Sequence, residues 1–126
     1  MIKQLVPVDL NSVLYDVEVK LSGFHESLGN AEMAAYYKTQ STKRKLAMDI
    51  FFWDEEEAAW LDYNMNTQSR TPGFYASTIM PVWVGAHDKT PEELSRVVSE
   101  LKTHVKPHRL HCSVLYLNIF LYCFVS

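Results

Sequence analysis

The sequence predicts an all-α chain built from consecutive helical hairpins with one aromatic interruption, and three observations carry that reading. Leu10, Leu14, Val17, Leu21, Phe24 and Leu28 recur at alternating steps of four and three. Gly29-Asn30 leaves only a two-residue connection before a second helical stretch. Thr90-Pro91-Glu92-Glu93 combines a capping threonine, a proline at the first helical position and a glutamate placed to reach back to the cap.

The elements follow in order. Residues 10–28 read as an amphipathic helix. Asp9 is placed to accept a hydrogen bond from a first-turn amide, and Gly29 to take the left-handed conformation that closes the last turn. Asn30 caps a second helix running to about Phe52, with Ala34, Tyr37, Ser41, Met48 and Phe51 roughly along one face. Its centre, Ser41-Thr42-Lys43-Arg44-Lys45, is polar and weakens the pattern. So short a connection makes the two helices antiparallel, a helical hairpin.

From Trp53 to Gly73 the period changes, and Trp53-Asp54-Glu55-Glu56-Glu57 has turn chemistry flanked by aromatics. An aromatic loop or small β-hairpin is expected there. After Pro72-Gly73, Phe74 to Ala86 is a third apolar segment whose Pro81 a first turn tolerates if Ser77 or Thr78 caps it. Leu94, Val97, Val98 and Leu101 then supply the buried face of the helix begun at Thr90. The body reads as two helical hairpins in series.

Composition bounds the function. The 126 residues are 48% apolar and 21% charged, with 12 basic against 15 acidic groups. That excludes a disordered or collagen-like chain and argues against a basic nucleic-acid binder. Four glycines make a nucleotide cradle improbable, and no Gly-x-Ser-x-Gly motif or paired cysteines occur. Met1-Ile2-Lys3-Gln4 runs into Leu5-Val6-Pro7-Val8 without an apolar signal core, which reads as an intracellular protein or one whose N-terminus lies upstream.

Residues 103–126 form a different composition class, holding Lys106 and Arg109 and no acid, with both cysteines, Cys112 and Cys123. Leu110 to Val125 is nearly uninterrupted apolar sequence, at the short limit of the about 17–25 residues that cross a bilayer. A membrane anchor, a buried strand or helix, and a non-native end are the three readings. His104, His108, His111 and Cys112 resemble a metal set, but Pro107 breaks their common face and no second cluster completes it. No metal is assigned.

The acidic run Asp54 to Glu57 is read as a solvated turn, and His25 and His87 stand without a nucleophile motif. Trp53, Trp60, Tyr63, Phe74, Tyr75 and Trp83 could stack on sugar rings, although most such aromatics are core.

Gln4-Leu5-Val6-Pro7-Val8-Asp9-Leu10-Asn11, Leu28-Gly29-Asn30, Trp53-Asp54-Glu55 with Trp60-Leu61-Asp62-Tyr63-Asn64, and Phe74-Tyr75-Ala76-Ser77 leading to Pro81-Val82-Trp83-Val84-Gly85 occur in one order and spacing. Together they resemble the trehalase family, animal type, from residue 3 to about 102. The resemblance implies a partial α/α toroid, the helical hairpins of an incomplete (α/α)6 barrel, spanning residues 1–102, with 103–126 a non-family tail. It further implies hydrolysis of trehalose to two glucose molecules with inversion, no cofactor, and an extracellular or membrane-attached setting.

In that family the general acid is an aspartate in a Gly-Trp-Asp motif upstream of this segment, and the general base is a glutamate near the far C-terminus. Neither motif is present, nor is the Gln-Trp-Asp stretch expected soon after Leu101. The sugar-binding arginines belong to upstream motifs. No catalytic, substrate-binding or metal residue is therefore assigned: Asp54 sits in a different loop from the catalytic motif, and Asp9 and Asn11 order the chain behind it. The expected product is an inactive toroid fragment with uncovered apolar helix faces. The competing reading is a small helical interaction protein anchored to a membrane by its tail.

Overall fold

The structure is a computed structural model that describes residues 4–73 and 75–104. A short strand β1 (Leu5–Val6) leads into α1 (Val8–Ser27), which turns back through Gly29 into α2 (Ala31–Phe51). Two small antiparallel ribbons follow. β2 (Trp53–Asp54) pairs with β3 (Ala59–Trp60), placing Trp53 opposite Trp60. β4 (Tyr63–Asn64) pairs on one side with β5 (Ser69–Arg70) and on the other with β1, Val6 opposite Tyr63. A 3-10 turn, Ala76–Ile79, then precedes α3 (Met80–Val84) and α4 (Pro91–His104).

The hairpin turn is built as its sequence dictates. Gly29 has φ +74°, its amide bonds the Glu26 carbonyl at 3.0 Å, and the Asn30 amide bonds that of His25 at 2.9 Å, so the last carbonyls of α1 are satisfied by a left-handed closing residue. Asn30 then caps α2 by accepting from the Met33 amide at 3.2 Å. The capping box at the start of α4 forms in both directions: the Thr90 amide bonds Glu93 Oε2 at 2.7 Å and the Glu93 amide bonds Thr90 Oγ1 at 3.2 Å. Val97 and Leu101 are the buried face of that helix.

Four local expectations need correction. Asp9 does bond a first-turn amide, that of Leu10 at 2.6 Å, but the cap position of α1 is Pro7, and Asp62 Oδ1 takes the Val8 amide at 2.8 Å from fifty-four residues away. The interruption holds two ribbons rather than one, because Leu5–Val6 extends the second into a three-stranded sheet. Neither Ser77 nor Thr78 caps the helix at Pro81; Ile79 occupies that place, while Thr78 Oγ1 turns back to the Tyr75 amide at 3.4 Å. The expected second hairpin also departs from its reading, because α3 has its main packing partner in α1 rather than in α4. α3 is five residues long, ends at Gly85 with φ +71°, and packs against α1.

The core gathers where α2 meets the first ribbon. Val8, Met48, Phe52, Trp53, Ala58, Trp60, Ala86 and Val97 pack as one cluster, joined at its edge by Tyr15, Tyr63 and Leu94. Among the described residues no helix is long and apolar enough to cross a membrane. Residues 105–126, and with them the expectations for the tail, lie outside the described residues.

Candidate functional site

Between α1 and α2 the seam is polar and made of small residues. Ser41 of α2 is buried, and Ser22 Oγ bonds the Ala34 carbonyl at 2.8 Å across the hairpin. At its centre Arg44 donates twice to Glu18, at 2.7 and 3.0 Å, and once to Asn11 Oδ1 at 2.9 Å, while Asn11 Nδ2 returns to the Pro7 carbonyl at 2.9 Å. A planar guanidinium suits this site because its fork satisfies a carboxylate and an amide together. Toward the turn, His25 stacks on Tyr37 with ring centroids 5.6 Å apart.

The titratable groups with perturbed environments gather elsewhere, around the first ribbon. Trp53 and Trp60 lie 4.6 Å apart by ring centroid, and Trp60 is fully buried. Asp49 projects toward Trp60, and burial above all holds its carboxyl above the ordinary aspartate value. Lys89 opposes that rise first, the Trp60 indole next, and Lys45 more weakly, while Asp88 adds to it. Trp60 Nε1 and Asp49 Oδ1 are both buried, and neither closes a hydrogen bond of full geometry.

His87, 6.0 Å from Trp60 by centroid, is pushed below the ordinary histidine value mainly by burial and then by Lys45, with Lys89 adding to the fall and Asp49 and Asp88 resisting it. The Lys89 ammonium sits 4.1 Å from the centre of the Trp53 ring, a cation–π contact. On the outer edge the Trp53 indole donates to Glu55 at 2.9 Å, and Arg96 bonds the same carboxylate at 2.8 Å. Both hold Glu55 below its usual range, the indole bond more strongly.

A cleft of about 460 Å³ opens on the other side of α2. Val6, Ala47, Met48, Phe51, Phe52, Tyr63 and Met65 line it, with Asn11 and Gln68 as its polar groups. No carboxylate lines this cleft, and it shares no residue with the cluster around Asp49 and His87. A second, more open groove carries one acid, Asp9, beside Leu10, Val13, Ala76, Ser77 and Met80.

The residues singled out in the sequence are thus dispersed. Asp54 closes its turn by accepting the Glu56 and Glu57 amides at 3.0 and 3.1 Å, as a solvated acidic run should. Trp53 and Trp60 are core, Tyr75 and Trp83 are exposed, and Phe74 lies outside the described residues. His104 ends α4, whereas His108, His111 and Cys112 lie outside the described residues. Among the described residues no three His, Cys, Asp or Glu side chains gather to hold a metal.

Sequence reasoning passed over Arg44, Asp49 and Asp62. The first had a signal, since Ser41, Arg44 and Met48 share one helical face. Asp62 had none, because its partner is remote in the chain.

The sequence profile of the Trehalase family matches residues 1–113. Over 82 residues the chain is 42% identical to the trehalase of Oryctolagus cuniculus, covering 65% of this chain and 14% of that protein. Over 79 residues it is 47% identical to the trehalase of Dictyostelium discoideum, covering 63% of this chain and 13% of that protein. The fold matches neutral trehalase Nth1 from Saccharomyces cerevisiae with a TM-score of 0.67 and 25% identity, over 77% of this chain and 19% of that one. The chain thus spans about one seventh of the length of the curated relatives it matches, 14% and 13%. With the Val-Pro-Val-Asp-Leu-Asn entry to α1, the Gly29 hairpin and the Trp-Asp ribbon all in place, the chain belongs to the trehalase family.

Proposed function

We propose that this chain serves a trehalose-hydrolysing glycoside hydrolase as an arc of its helical wall, residues 1–102 forming the arc of an α/α toroid and 103–126 a separate tail. An inverting glycosidase needs a carboxylic acid to protonate the leaving oxygen and a carboxylate to activate water, about 6.5–9.5 Å apart across the sugar. The observation that carries the reading is the separation of cleft from acids. The cleft beside α2 is lined without a carboxylate, and Asp49 faces a buried indole on the other side of the helix.

On this reading the isolated chain binds no catalytic water between two acids and releases no glucose. Its part is to hold the wall: Arg44 fixes the hairpin, Asp62 fixes the entry to α1, and the Trp53–Trp60 pair anchors the ribbon.

The purified 126-residue chain, checked for helical content by circular dichroism, is to be incubated with trehalose and assayed for glucose. The expected result is no release above buffer. Turnover proportional to chain concentration would overturn the proposal.

A further inference from the structure

The connection between α3 and α4, residues 85–90, is anchored at both ends. Ala86 is fully buried in the core cluster, and its amide bonds the Pro81 carbonyl at 2.8 Å. Thr90 opens the capping box of α4. Between these anchors His87 Nδ1 accepts the Lys89 amide at 3.3 Å, and the Lys89 ammonium reaches over Trp53, 4.1 Å from the ring centre. A ring nitrogen that accepts carries no proton, so the turn is closed by a neutral imidazole protonated on Nε2.

Protonation removes that closure. An imidazolium donates from both nitrogens, so Nδ1–H would face the Lys89 N–H and the bond is lost. The new charge also arrives among cations. Lys45 from α2 and Lys89 from the turn face the ring, against Asp49 from α2 and Asp88 from the turn. The remaining wall is the Trp60 ring, fully buried and uncharged, which offers no counter-ion. Lys45 is fixed by direct contact with Asp88, whereas Lys89 meets Glu93 only at 4.0 Å and lies on the same turn as the histidine. Lys89 is the group that gives way.

We propose that His87 is a pH-sensitive latch: its neutral ring holds the Lys89 turn closed with the ammonium on Trp53, and its protonation releases Lys89 from the first ribbon while the core beneath stays packed. The sign follows from the surroundings of the ring. Burial first, then Lys45, with Lys89 adding, hold His87 below the ordinary 6.5, and Asp49 and Asp88 resist. In the open turn the ring regains water and its ordinary value, so the closed form is at full strength above 6.5 and is lost as pH falls through the lowered value.

The event is local because the outer edge of the ribbon is held otherwise. The Trp53 indole donates to Glu55, and Arg96 of α4 bonds the same carboxylate, which these bonds keep below its usual range. Opening the latch therefore bares the face of Trp53, now 7% exposed, without detaching the ribbon. Neither the latch nor its test depends on the hydrolase reading.

The test is nuclear magnetic resonance of the full 126-residue chain, titrated from about pH 8 to about pH 5, the range in which a histidine changes charge. A lysine stem above an indole face has its methylene protons displaced upfield by the ring current. The Lys89 methylenes are expected to lose that displacement, and the Lys89 amide to shift, at the midpoint of the His87 ring itself, below 6.5. The methyl resonances of buried Val97 are expected to stay in place. His87→Asn sets an amide oxygen where Nδ1 accepts and does not titrate, so the displacement is expected to persist throughout. Asp49→Asn, which removes the other buried proton acceptor, is expected to retain the transition.

Four results overturn the latch: a Lys89 displacement that is unchanged while the His87 ring titrates, the same transition in His87→Asn, its loss in Asp49→Asn, or loss of the Val97 dispersion at the same midpoint, which would make the event global unfolding. The parent titration decides alone where a variant does not fold.

Discussion

Asp62 lies fifty-four residues from the amide it caps, and that distance gives it a role a local cap does not have. The first-turn amides of a helix lack intrahelical acceptors, and Pro7 offers no side-chain oxygen, so the Val8 N–H depends on Asp62 Oδ1 at 2.8 Å. Asp62→Ala is expected to lower unfolding free energy by about 1 kcal/mol, the usual worth of a cap, read as a lower urea midpoint; Asp62→Asn, which keeps an acceptor oxygen, is expected to lose less. Asp49 acts in the opposite sense. Burial raises its native pKa above the ordinary 3.8, so its contribution to stability is fully present below 3.8 and is lost as pH rises through the elevated native value. Asp49→Asn should therefore stabilise the chain at neutral pH and flatten that acid-side slope in a series of denaturant titrations. A variant no more stable than the parent at pH 7 would contradict the assignment. His87, whose native pKa lies below the ordinary 6.5, contributes stability above 6.5 that is lost as pH falls through its lowered value, so the two slopes oppose each other.

At the scale of elements, the α1–α2 hairpin shows what could be read from the chain and what could not. Its turn was legible because Gly29 and Asn30 act on their own neighbours, and the start of α4 was legible because Thr90 and Glu93 bond each other. The polar centre of α2 was misleading for a physical reason. Ser41-Thr42-Lys43-Arg44-Lys45 looks like a weak helix face until Glu18 and Asn11 arrive from α1, since a sequence pattern records hydrophobicity and not the partner that neutralises a charge. The candidate site was illegible for the same reason: Asp49, Trp60 and His87 converge from three separate segments. The Arg44–Glu18 pair can be tested directly. Its side chains keep 27% and 14% exposure, so Arg44→Ala strands a part-buried carboxylate and is expected to cost about 2 kcal/mol, below the 3–5 kcal/mol of a fully buried pair. Arg44→Met together with Glu18→Leu, which removes both charges, is expected to recover most of that loss in the same unfolding measurement.

For the whole molecule the balance of covered and bare apolar surface decides behaviour. The buried cluster around Trp60, Met48 and Val97 is small beside the large apolar side chains left outside, Leu10, Leu14, Val17, Phe24, Leu28, Leu46, Ile50 and Trp83 among them. A soluble monomer rarely leaves so much contiguous apolar surface uncovered, so the isolated chain should bind a hydrophobic dye such as anilinonaphthalene sulfonate in its native state. Dye binding alone would also fit a molten globule, which keeps helical signal but loses fixed side-chain packing. The two are separated by the buried tryptophans. Trp53 and Trp60 are held in the core, tilted 59° to each other, with 7% and 0% exposure, so a folded chain retains near-ultraviolet circular dichroism while it binds dye, and a molten one loses it. Phe24→Asp with Leu28→Asp, at positions 64% and 80% exposed, should reduce dye fluorescence severalfold and leave the near-ultraviolet signal in place. If the substitutions abolish that signal, this end of α1 is packed within the chain and its exposure is wrong; if dye binding is unchanged, the bare surface lies elsewhere than along α1.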